Sequence, residues 1–532
     1  MKRGLLSAIS CGLLAMSLQA APPLRALMPM KLADGTAVTA NQQVNTFAEG
    51  GCCATQAVIG EGAYLQHNGS PRVLTILAAF QDLDFTINSP IEAFDQYLNG
   101  DTQEDLGNYN QMNATSVRQY FEISSQGQFS PQFDVVGPVT LPQNLKYYGG
   151  SNKTGSDDKF TEVCQDAMDQ ARDLVNDWSL YDNDGDGRIE LVCVILAGFG
   201  QNQGGADSTV WAKASLKNLK LNDHLSITRF NCCSELFHPQ YPTFINGTGV
   251  FIHEFSHCMG LPDLYATSSR AYVNNQGMES YSIMDYGLYN RNGFAPCPYT
   301  AWEQETMGWT EIEPIDRQQL IDDNLLQITD LLPLTEGGKA YKFINSNNDR
   351  DYIVMENVQK RGLNKYANGH GLLVYHVAYP YNSVNMADAP NNNPGHPSVA
   401  VVPAGGLLIN SYLRGNGKQY TTDEWKTTMA AALFPGTQDI TSLTDQMQLP
   451  NYCFYDNENV LTTGFMLSDI TEDADAGCIS FIASLDDTSG INEARWNQDD
   501  TKGPVYDLQG RKIQGPLKSG IYIIQGKKIL IK

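Results

Sequence analysis

Short apolar runs bounded by polar residues predict the strands of the central part of the chain. Residues 73–80 form one such run, and residues 189–197 form a second. Runs of this length that are apolar throughout are typical of strands buried on both faces of a sheet. After about residue 311 the runs become shorter, as at 352–355 and 372–375, and glycine, asparagine and proline separate them. This pattern predicts a β-rich region.

Helical spacing of apolar residues marks two segments among the predicted strands. One helix is predicted to begin after Ser116 and to end before Gly127. A longer amphipathic helix is predicted from Phe160 to Ser179, with Leu174 and Trp178 on its apolar side. The predicted helices and strands together indicate the α+β class, with a mixed sheet in the first part of the chain.

The first residues have the pattern of a secretory signal peptide. A basic start is followed by the mostly apolar segment Leu5–Leu18 and then by small residues, with cleavage predicted near Ala20 or Ala21. The apolar segment is shorter than the roughly 20 residues that span a bilayer, and no later stretch reaches that length. We therefore expect a secreted protein, extracellular or at the cell surface, with no membrane span.

Charge and cysteine content narrow the possible partners. The 532 residues include 59 acidic and 35 basic side chains, for a formal net charge of −24. This balance argues against nucleic acid as a partner, because phosphates require a basic surface. It suits a soluble secreted protein, especially one that binds calcium. Only Cys11 of the eleven cysteines lies in the predicted signal peptide, so some disulfides are expected, with their connectivity open.

The candidate chemistry lies in residues 253–263, which read HEFSHCMGLPD. Residues four apart share one face of a helix, so His253 and His257 can direct a ring nitrogen at the same metal ion. Glu254 lies about 100° round the helix and can reach a water bound to that metal. This spacing predicts a zinc site in which Glu254 accepts a proton from the water and then delivers it to the leaving amine.

A catalytic zinc site needs a third protein ligand and one open position. Gly260 is placed to end the helix through a left-handed backbone, and Pro262 prevents it from resuming. The chain would then present Asp263 to the metal, and Asp263 is the predicted third ligand. The alternative is a thermolysin-like arrangement in which a downstream glutamate binds zinc, and Glu279 is the nearby candidate.

Residues 282–286, Ser-Ile-Met-Asp-Tyr, fit the methionine turn of metzincin-type zinc peptidases. Met284 would form an apolar floor beneath the zinc ligands. Tyr286 is predicted to bind the metal in the resting state or to steady the tetrahedral oxyanion.

A second acidic motif predicts calcium. Asp182, Asp184 and Asp186 match positions one, three and five of an EF-hand-type loop, and Glu190 stands at position nine. Cys193 occupies position twelve, where glutamate is usual, and a strand is predicted where the second helix of an EF-hand would begin. The alternative is an acidic surface turn.

Together these motifs resemble the immune inhibitor A-like family of secreted metallopeptidases. The resemblance covers roughly residues 70–485, and its further segments are 72–82, 117–129, 181–187, the region of Trp211, 247–249, 261–265, 307–309 and 369–377. It implies a metzincin-like catalytic domain followed by β-rich modules, with zinc on His253, His257 and Asp263 and with Glu254 as the general base. Two departures are Ser256, where the family usually has glycine, and Ala378, where it often has aspartate, so that His376 is expected to be a core histidine.

The resemblance and the segment pattern predict five parts. These are a signal peptide at 1–21, a linker or reduced pro-segment at 22–70, a zinc peptidase catalytic domain at 71–312, a β-rich domain at 313–485, and a linker with a small C-terminal β tail at 486–532. The tail resembles short C-terminal tails of secreted and cell-surface proteins, some of which are sorting signals. In the tail, Val505–Lys512 is predicted to pair with Gly520–Ile524. Cys52 or Cys53 could cap the zinc as a thiolate, although structural cysteines are the simpler interpretation.

The intact ligands, base and methionine turn predict a secreted, zinc-dependent endopeptidase that acts on protein or peptide substrates. The alternative is a catalytically silent binding or adhesive protein on the same scaffold, which would be expected to have lost Glu254 or a ligand. A nucleophilic serine or cysteine has no comparable support, and Cys258 is expected to pack on the other face of its helix. The oligomeric state is open, with a monomer assumed.

Overall fold

The computed structural model describes residues 18–22, 24, 30–31, 37–38, 59, 64–102, 107, 110–150, 159–271, 275–407, 420–456, 459–486, 505–506, 511–513, 520–524 and 527–531. Most of the predicted signal peptide and pro-segment lies outside these ranges, as do Cys52 and Cys53 and most of the predicted linker after residue 486. Among the described residues, no helix has the length and apolar character needed to cross a membrane.

The described strands and helices follow one another along the chain. The strands are β1 (Leu18–Ala20), β2 (Met30–Lys31), β3 (Ala37–Val38), β4 (Arg72–Ala79), β5 (Gln132–Thr140), β6 (Arg188–Ile189), β7 (Val192–Phe199), β8 (Lys213–Lys220), β9 (Ser226–His238), β10 (Tyr241–Ile245), β11 (Glu313–Pro314), β12 (Leu326–Leu331), β13 (Ala340–Asn345), β14 (Asn348–Val358), β15 (Gly371–Ala378), β16 (Val399–Val401), β17 (Phe454–Asp456), β18 (Asn459–Leu461), β19 (Phe465–Asp473), β20 (Cys478–Leu485), β21 (Val505–Tyr506), β22 (Gly520–Ile524) and β23 (Lys527–Ile531). The α-helices are α1 (Pro90–Asn99), α2 (Val117–Ser124), α3 (Leu145–Gly149), α4 (Phe160–Ala171), α5 (Thr248–Cys258), α6 (Ala301–Met307), α7 (Arg317–Asp323) and α8 (Thr422–Ala430).

A mixed sheet forms the centre of the first part of the molecule. Its order is β1-β8-β9-β7-β4-β5, with β6 and β10 both paired to β9. Strands β5, β4, β7 and β9 run parallel, while β8 is antiparallel to β9 and β1 is antiparallel to β8. Mixed sheet and helices agree with the α+β class.

Both faces of this sheet are covered, which explains the continuous apolar runs of its central strands. On β4, Val73 and Leu77 point into a core shared with α1, α2 and α5, while Leu74 and Ile76 point into a core shared with α4. Side chains alternate across a strand, so β4 needs apolar residues at successive positions. Helix α5 therefore packs on a sheet whose central strands are buried on both faces.

The predicted helix from Phe160 to Ser179 is shorter in the structure. Helix α4 ends at Ala171, and two 3-10 turns follow at Arg172–Leu174 and Trp178–Tyr181. The Asp177 side chain accepts hydrogen bonds from the Ser179 backbone N–H (3.0 Å) and hydroxyl (2.6 Å), which starts a new turn rather than continuing the helix. Leu174, predicted on the buried side, is 50% exposed.

Two further sheets follow. A five-stranded sheet has the order β11-β13-β14-β15-β16, and a three-stranded sheet has the order β12-β20-β19. They share a core in which Phe343 and Phe465 stack with ring centroids 4.1 Å apart. The opposite side of β14 and β15, including Val354 and Tyr375, belongs to the same core as α5. One apolar core thus continues across the predicted boundary at 312/313, and that boundary remains a prediction. In the tail, β21 pairs with β22.

The structure shows no disulfide among the eight cysteines that it describes. The expectation of disulfides is therefore wrong for these residues. The reason is visible at the vicinal pair on β9, where Cys232 and Cys233 point to opposite faces and enter different apolar cores. Cys258 packs into the core beneath α5, as expected for the far face of that helix.

Candidate active site

Helix α5 carries the HEFSH segment and is buried along its whole length. It begins in close contact with neighbouring backbone, because Gly249 lies against the carbonyl of Leu288, where a side chain would clash. It ends as predicted: α5 stops at Cys258 and Gly260 has φ +113°, a backbone that residues with a side chain rarely adopt. Ser256 faces away from the histidines and bonds to Ile252 O (2.7 Å).

The two imidazoles of α5 are fixed by backbone carbonyls. His253 Nδ1 lies 2.8 Å from Ile283 O, and His257 Nδ1 lies 2.7 Å from Leu261 O. A carbonyl can only accept, so Nδ1 is the protonated nitrogen in each ring and Nε2 is left with its lone pair. Both Nε2 atoms are buried without a hydrogen-bond partner. This is the second-sphere arrangement that orients histidine ligands towards a metal.

Asp263 lies between the two free ring nitrogens. Its Oδ1 is 3.4 Å from His253 Nε2 and 3.2 Å from His257 Nε2. Neither Asp263 oxygen has a hydrogen-bond partner, although the side chain is 1% exposed. Buried polar atoms are normally satisfied, so four donor atoms that face one another without hydrogen-bond partners are suited to binding a cation. Two imidazoles and one carboxylate are a donor set that zinc accepts.

Burial and mutual attraction act in opposite directions on these three groups. Burial lowers the pKa of His253. For His257, burial also lowers the pKa, but the Asp263 charge outweighs it and the pKa is raised. For Asp263, burial raises the pKa, but the neighbouring imidazoles outweigh it and the pKa is lowered. Asp263 is thus held as the carboxylate, which is the form that binds a metal.

Glu254 is fully buried beside the histidines. Its Oε1 accepts a hydrogen bond from the backbone N–H of Ala21 at 2.6 Å, and its Oε2 is buried without a partner. Burial raises the pKa of Glu254 to about 8. A carboxylate whose pKa lies near neutral pH is suited to take up a proton and to release it again.

The predicted methionine turn lies directly against the histidine helix. Ile283 supplies the carbonyl that holds His253, and Met284 O accepts a hydrogen bond from Leu264 N, next to Asp263, at 2.8 Å. Met284 itself is fully buried in the same apolar core as α5.

Glu303 supports this turn, and the sequence interpretation missed it. Ser282 Oγ donates to Glu303 Oε1 (2.5 Å) and accepts from Met284 N (2.9 Å). Burial raises the pKa of Glu303, although the Ser282 and Thr300 donors oppose that shift. The spacing Thr300-x-x-Glu303 at the start of α6 is a capping box, and that motif could have drawn attention to Glu303.

Tyr286 and Glu279 lie on the two sides of Asp285. Asp285 Oδ1 accepts from Tyr286 N (2.8 Å), and Asp285 Oδ2 accepts from Glu279 N (2.8 Å). The Glu279 carboxylate accepts a hydrogen bond from Trp425 Nε1 at 3.2 Å. The candidate ligand atoms of His253, His257 and Asp263 lie within 4.8 Å of one another, and Glu279 does not belong to this group.

The N-terminal segment runs through the site. Strand β1 pairs with the edge strand β8, with Ala20 opposite Lys213. Beyond it, Ala21 O accepts a hydrogen bond from Trp211 Nε1 (2.8 Å), and Pro22 O accepts one from Tyr289 OH (2.6 Å). Together with the hydrogen bond from Ala21 N–H to Glu254 Oε1, these contacts hold the segment against Glu254. The sequence analysis assigned residues 18–21 to a signal peptide and did not predict this placement.

The acidic loop forms a second cluster, away from α5. Donor oxygens of Asp182, Asp184 and Glu190 lie within 4.8 Å of one another. Asp186 was predicted to join them, but its carboxylate pairs with Arg188 instead (3.0 Å). A strand, β6, follows the loop and pairs in parallel with β9, so the loop lacks the second helix of an EF-hand.

His376 lies in the downstream part of the molecule as a buried histidine. Its Nε2 is 2.7 Å from Asp351 Oδ1, and both side chains are fully buried. Asp351 also accepts hydrogen bonds from Asn345 (2.9 Å) and from Tyr455 N (2.7 Å). These contacts tie β13, β14, β15 and β17 together.

Comparison with known proteins places the site in a family. The model of the immune inhibitor A peptidase M6 catalytic domain matches residues 67–309. This part of the chain belongs to that peptidase family. Over 273 residues the chain is 28% identical to the pre-pro-metalloprotease PrtV of Vibrio cholerae, covering 44% of this chain and 29% of PrtV.

A second relative is similarly distant. Over 237 residues the chain is 25% identical to immune inhibitor A of Bacillus thuringiensis subsp. alesti, covering 38% of this chain and 34% of that protein. The chain thus spans about a third of the length of these curated relatives. The residues of the candidate site from Trp211 to Glu303 lie within the matched region.

Proposed function

We propose that this chain is a secreted, zinc-dependent endopeptidase with a metzincin-like catalytic domain. The observation that carries the proposal is the group of four buried, unpartnered donor atoms on His253, His257 and Asp263, beside an equally buried Glu254. Membership of the matched region in a peptidase family supports it. The predicted signal peptide is the basis for secretion.

Each side chain has one task in the proposed reaction. His253, His257 and Asp263 would hold zinc, which when bound polarises a carbonyl oxygen and makes water reactive near neutral pH. Glu254 Oε2 accepts a proton from the attacking water as the oxygen–carbon bond forms. Glu254 then gives this proton to the peptide nitrogen as the carbon–nitrogen bond breaks. Tyr286 is assigned the role of steadying the oxyanion.

The edge strand β8 is the proposed binding surface for substrate. An extended peptide can add to a sheet edge through its main chain, which gives affinity without sequence preference. The antiparallel pairing of β1 with β8 is the model for that interaction. In this view residues 18–22 occupy the substrate path in the uncleaved precursor and keep it latent, and cleavage of the signal peptide near Ala20 or Ala21 removes strand β1 from β8.

Calcium binding at the acidic loop is a separate proposal. It rests on the grouped oxygens of Asp182, Asp184 and Glu190, with Asp186 left out because it pairs with Arg188. Oxygen ligands of this kind suit calcium.

The zinc assignment is tested by measuring bound zinc in the parent and in two carboxylate variants. Asp263→Asn keeps the shape of the side chain but removes its charge, and it is expected to lose zinc and caseinolytic activity together. Glu279→Gln is the matched control, since Glu279 bonds to Trp425 and Asp285 rather than to the histidines. It is expected to retain zinc. Zinc loss in Glu279→Gln with retention in Asp263→Asn would favour the thermolysin-like alternative.

A silent binding protein is the competing function. A parent that binds one zinc ion but cleaves neither casein nor a short peptide, even after its N-terminal segment is removed by limited proteolysis, would favour it.

A further inference from the structure

Helix α8 packs onto the active site from outside the matched family region of residues 67–309. Its Trp425 is 6% exposed and donates its indole N–H to Glu279 at 3.2 Å. One turn further along α8, Met429 O accepts a hydrogen bond from Tyr281 OH at 2.5 Å. Two residues of the segment that leads into the methionine turn are thus held by a helix more than a hundred positions away.

Trp425 also contacts Tyr286. The two ring centroids are 6.0 Å apart with an interplanar angle of 67°, an edge-to-face contact. On another side, Tyr286 contacts Tyr289 at 5.5 Å and 61°. The Tyr286 ring is therefore bracketed by one aromatic ring from its own segment and one from α8. Its backbone N–H is fixed by Asp285.

Glu279 connects Trp425 to Tyr286 in a second way, through hydrogen bonds that involve Asp285. Glu279 has φ +51°, an unusual backbone for a residue with a side chain, and it is 1% exposed. Such a conformation persists only where surrounding contacts hold it. Two of those contacts are the Trp425 bond to its carboxylate and the Asp285 bond to its N–H. Asp285 joins this support to Tyr286, because its other oxygen accepts the Tyr286 N–H.

We propose that Trp425 is a positioning residue for the peptidase reaction, holding the Tyr286 ring in the orientation in which its hydroxyl acts on the substrate. The inference rests on the proposed function and extends it, because it makes part of the chain beyond residue 309 necessary to the active site. The apolar core that α5 shares with Trp425, β14 and β15 agrees with this dependence.

The test compares kcat and KM for a quenched fluorescent peptide in the full chain and in Trp425→Phe. Phenylalanine keeps an apolar ring but loses the indole N–H and the outer edge that meets Tyr286. Loss of an edge-to-face aromatic contact of this kind is expected to lower kcat about three- to tenfold and to leave KM unchanged. Trp178→Phe is the matched control, since Trp178 is 8% exposed, bonds to Arg172 O and packs in the other core.

A double-mutant cycle separates positioning from general packing. If Trp425 acts through Tyr286, then Trp425→Phe should cause no further loss of kcat in a Tyr286→Phe background. Zinc content and thermal midpoint are measured for every variant, so that loss of metal or fold is recognised.

Three outcomes overturn the inference. They are an unchanged kcat in Trp425→Phe, an equal fractional loss in the parent and Tyr286→Phe backgrounds, and a loss of kcat in Trp178→Phe as large as that in Trp425→Phe. Each of these leaves the proposed function intact if the parent cleaves the peptide and a chelator abolishes cleavage. A parent that cleaves nothing overturns the proposed function and the inference with it.

Discussion

Removing the N-terminal segment should activate the enzyme. Three side chains outside the strand ladder hold this segment in place: Glu254 accepts Ala21 N–H, Trp211 donates to Ala21 O, and Tyr289 donates to Pro22 O. A hydrogen bond contributes about 1 kcal/mol net, and one to a charged group about twice that. The three together stabilise the covered state by about 4 kcal/mol. The β1–β8 ladder is left out of this sum because a bound substrate would replace it.

A covering energy of about 4 kcal/mol corresponds to a factor of about a thousand, since each 1.4 kcal/mol is a factor of ten. We therefore expect a chain lacking residues 1–25 to have a kcat/KM roughly two to three orders of magnitude higher than that of the full chain. The amount of bound zinc should be the same in both. The assay is hydrolysis of a quenched fluorescent peptide at substrate concentrations below KM.

Adding the segment back supplies the control. A synthetic peptide with the sequence of residues 16–25 should inhibit the shortened chain, and a scrambled peptide of the same composition should not. Equal kcat/KM in the full and shortened chains, with equal zinc content and thermal midpoint, would refute the proposal that the segment keeps the site latent.

Three further predictions concern stability and metal binding. Ser282→Ala removes a donor from the buried Glu303 carboxylate, so it should lower the free energy of unfolding by about 1–3 kcal/mol in urea titrations, and a change near zero would contradict the supporting role of Glu303. Burial raises the pKa of Glu356 to about 7 from an ordinary 4.5, so the folded state binds a proton that the unfolded state has released, and stability falls as pH rises through that window. Between pH 4.5 and pH 8 the free energy of unfolding should therefore fall by about 3 kcal/mol less in Glu356→Gln than in the parent. Parallel curves of stability against pH for the two proteins would exclude the raised pKa of Glu356. Calcium should raise the thermal midpoint of the parent but not that of Asp182→Asn, and an equal rise in both would place the ion elsewhere.

Local patterns in the sequence were enough to predict the elements that carry the motif. The length and continuous apolar character of two runs indicated β4 and β7, and the spacing of His253 and His257 put both on one helical face. Gly260 and Pro262 ended the helix and brought the chain back towards the histidines. Each of these inferences depends on residues within about one or two helical turns of one another.

Long-range contacts were beyond the reach of such patterns. The hydrogen bond between Trp425 and Glu279 joins residues 146 positions apart in the sequence, and the one between Tyr281 and Met429 joins residues 148 positions apart. Nothing in the composition near residue 425 predicts that its helix covers an active site. The N-terminal segment is a similar case, because its small residues match a cleavage site, while its pairing depends on the edge strand β8, nearly two hundred positions away.

The most direct test of the central claim is a comparison of the shortened chain with its Glu254→Gln variant. Glutamine has the shape of glutamate but cannot take up the proton that peptide hydrolysis requires. Bound zinc and the initial rate of peptide cleavage are measured on the same samples. We expect one zinc ion in both proteins, cleavage by the parent that a chelator abolishes, and a rate in the variant lower by at least about two orders of magnitude. Equal rates in the two proteins, with equal zinc, would contradict the assignment of Glu254 as the general base.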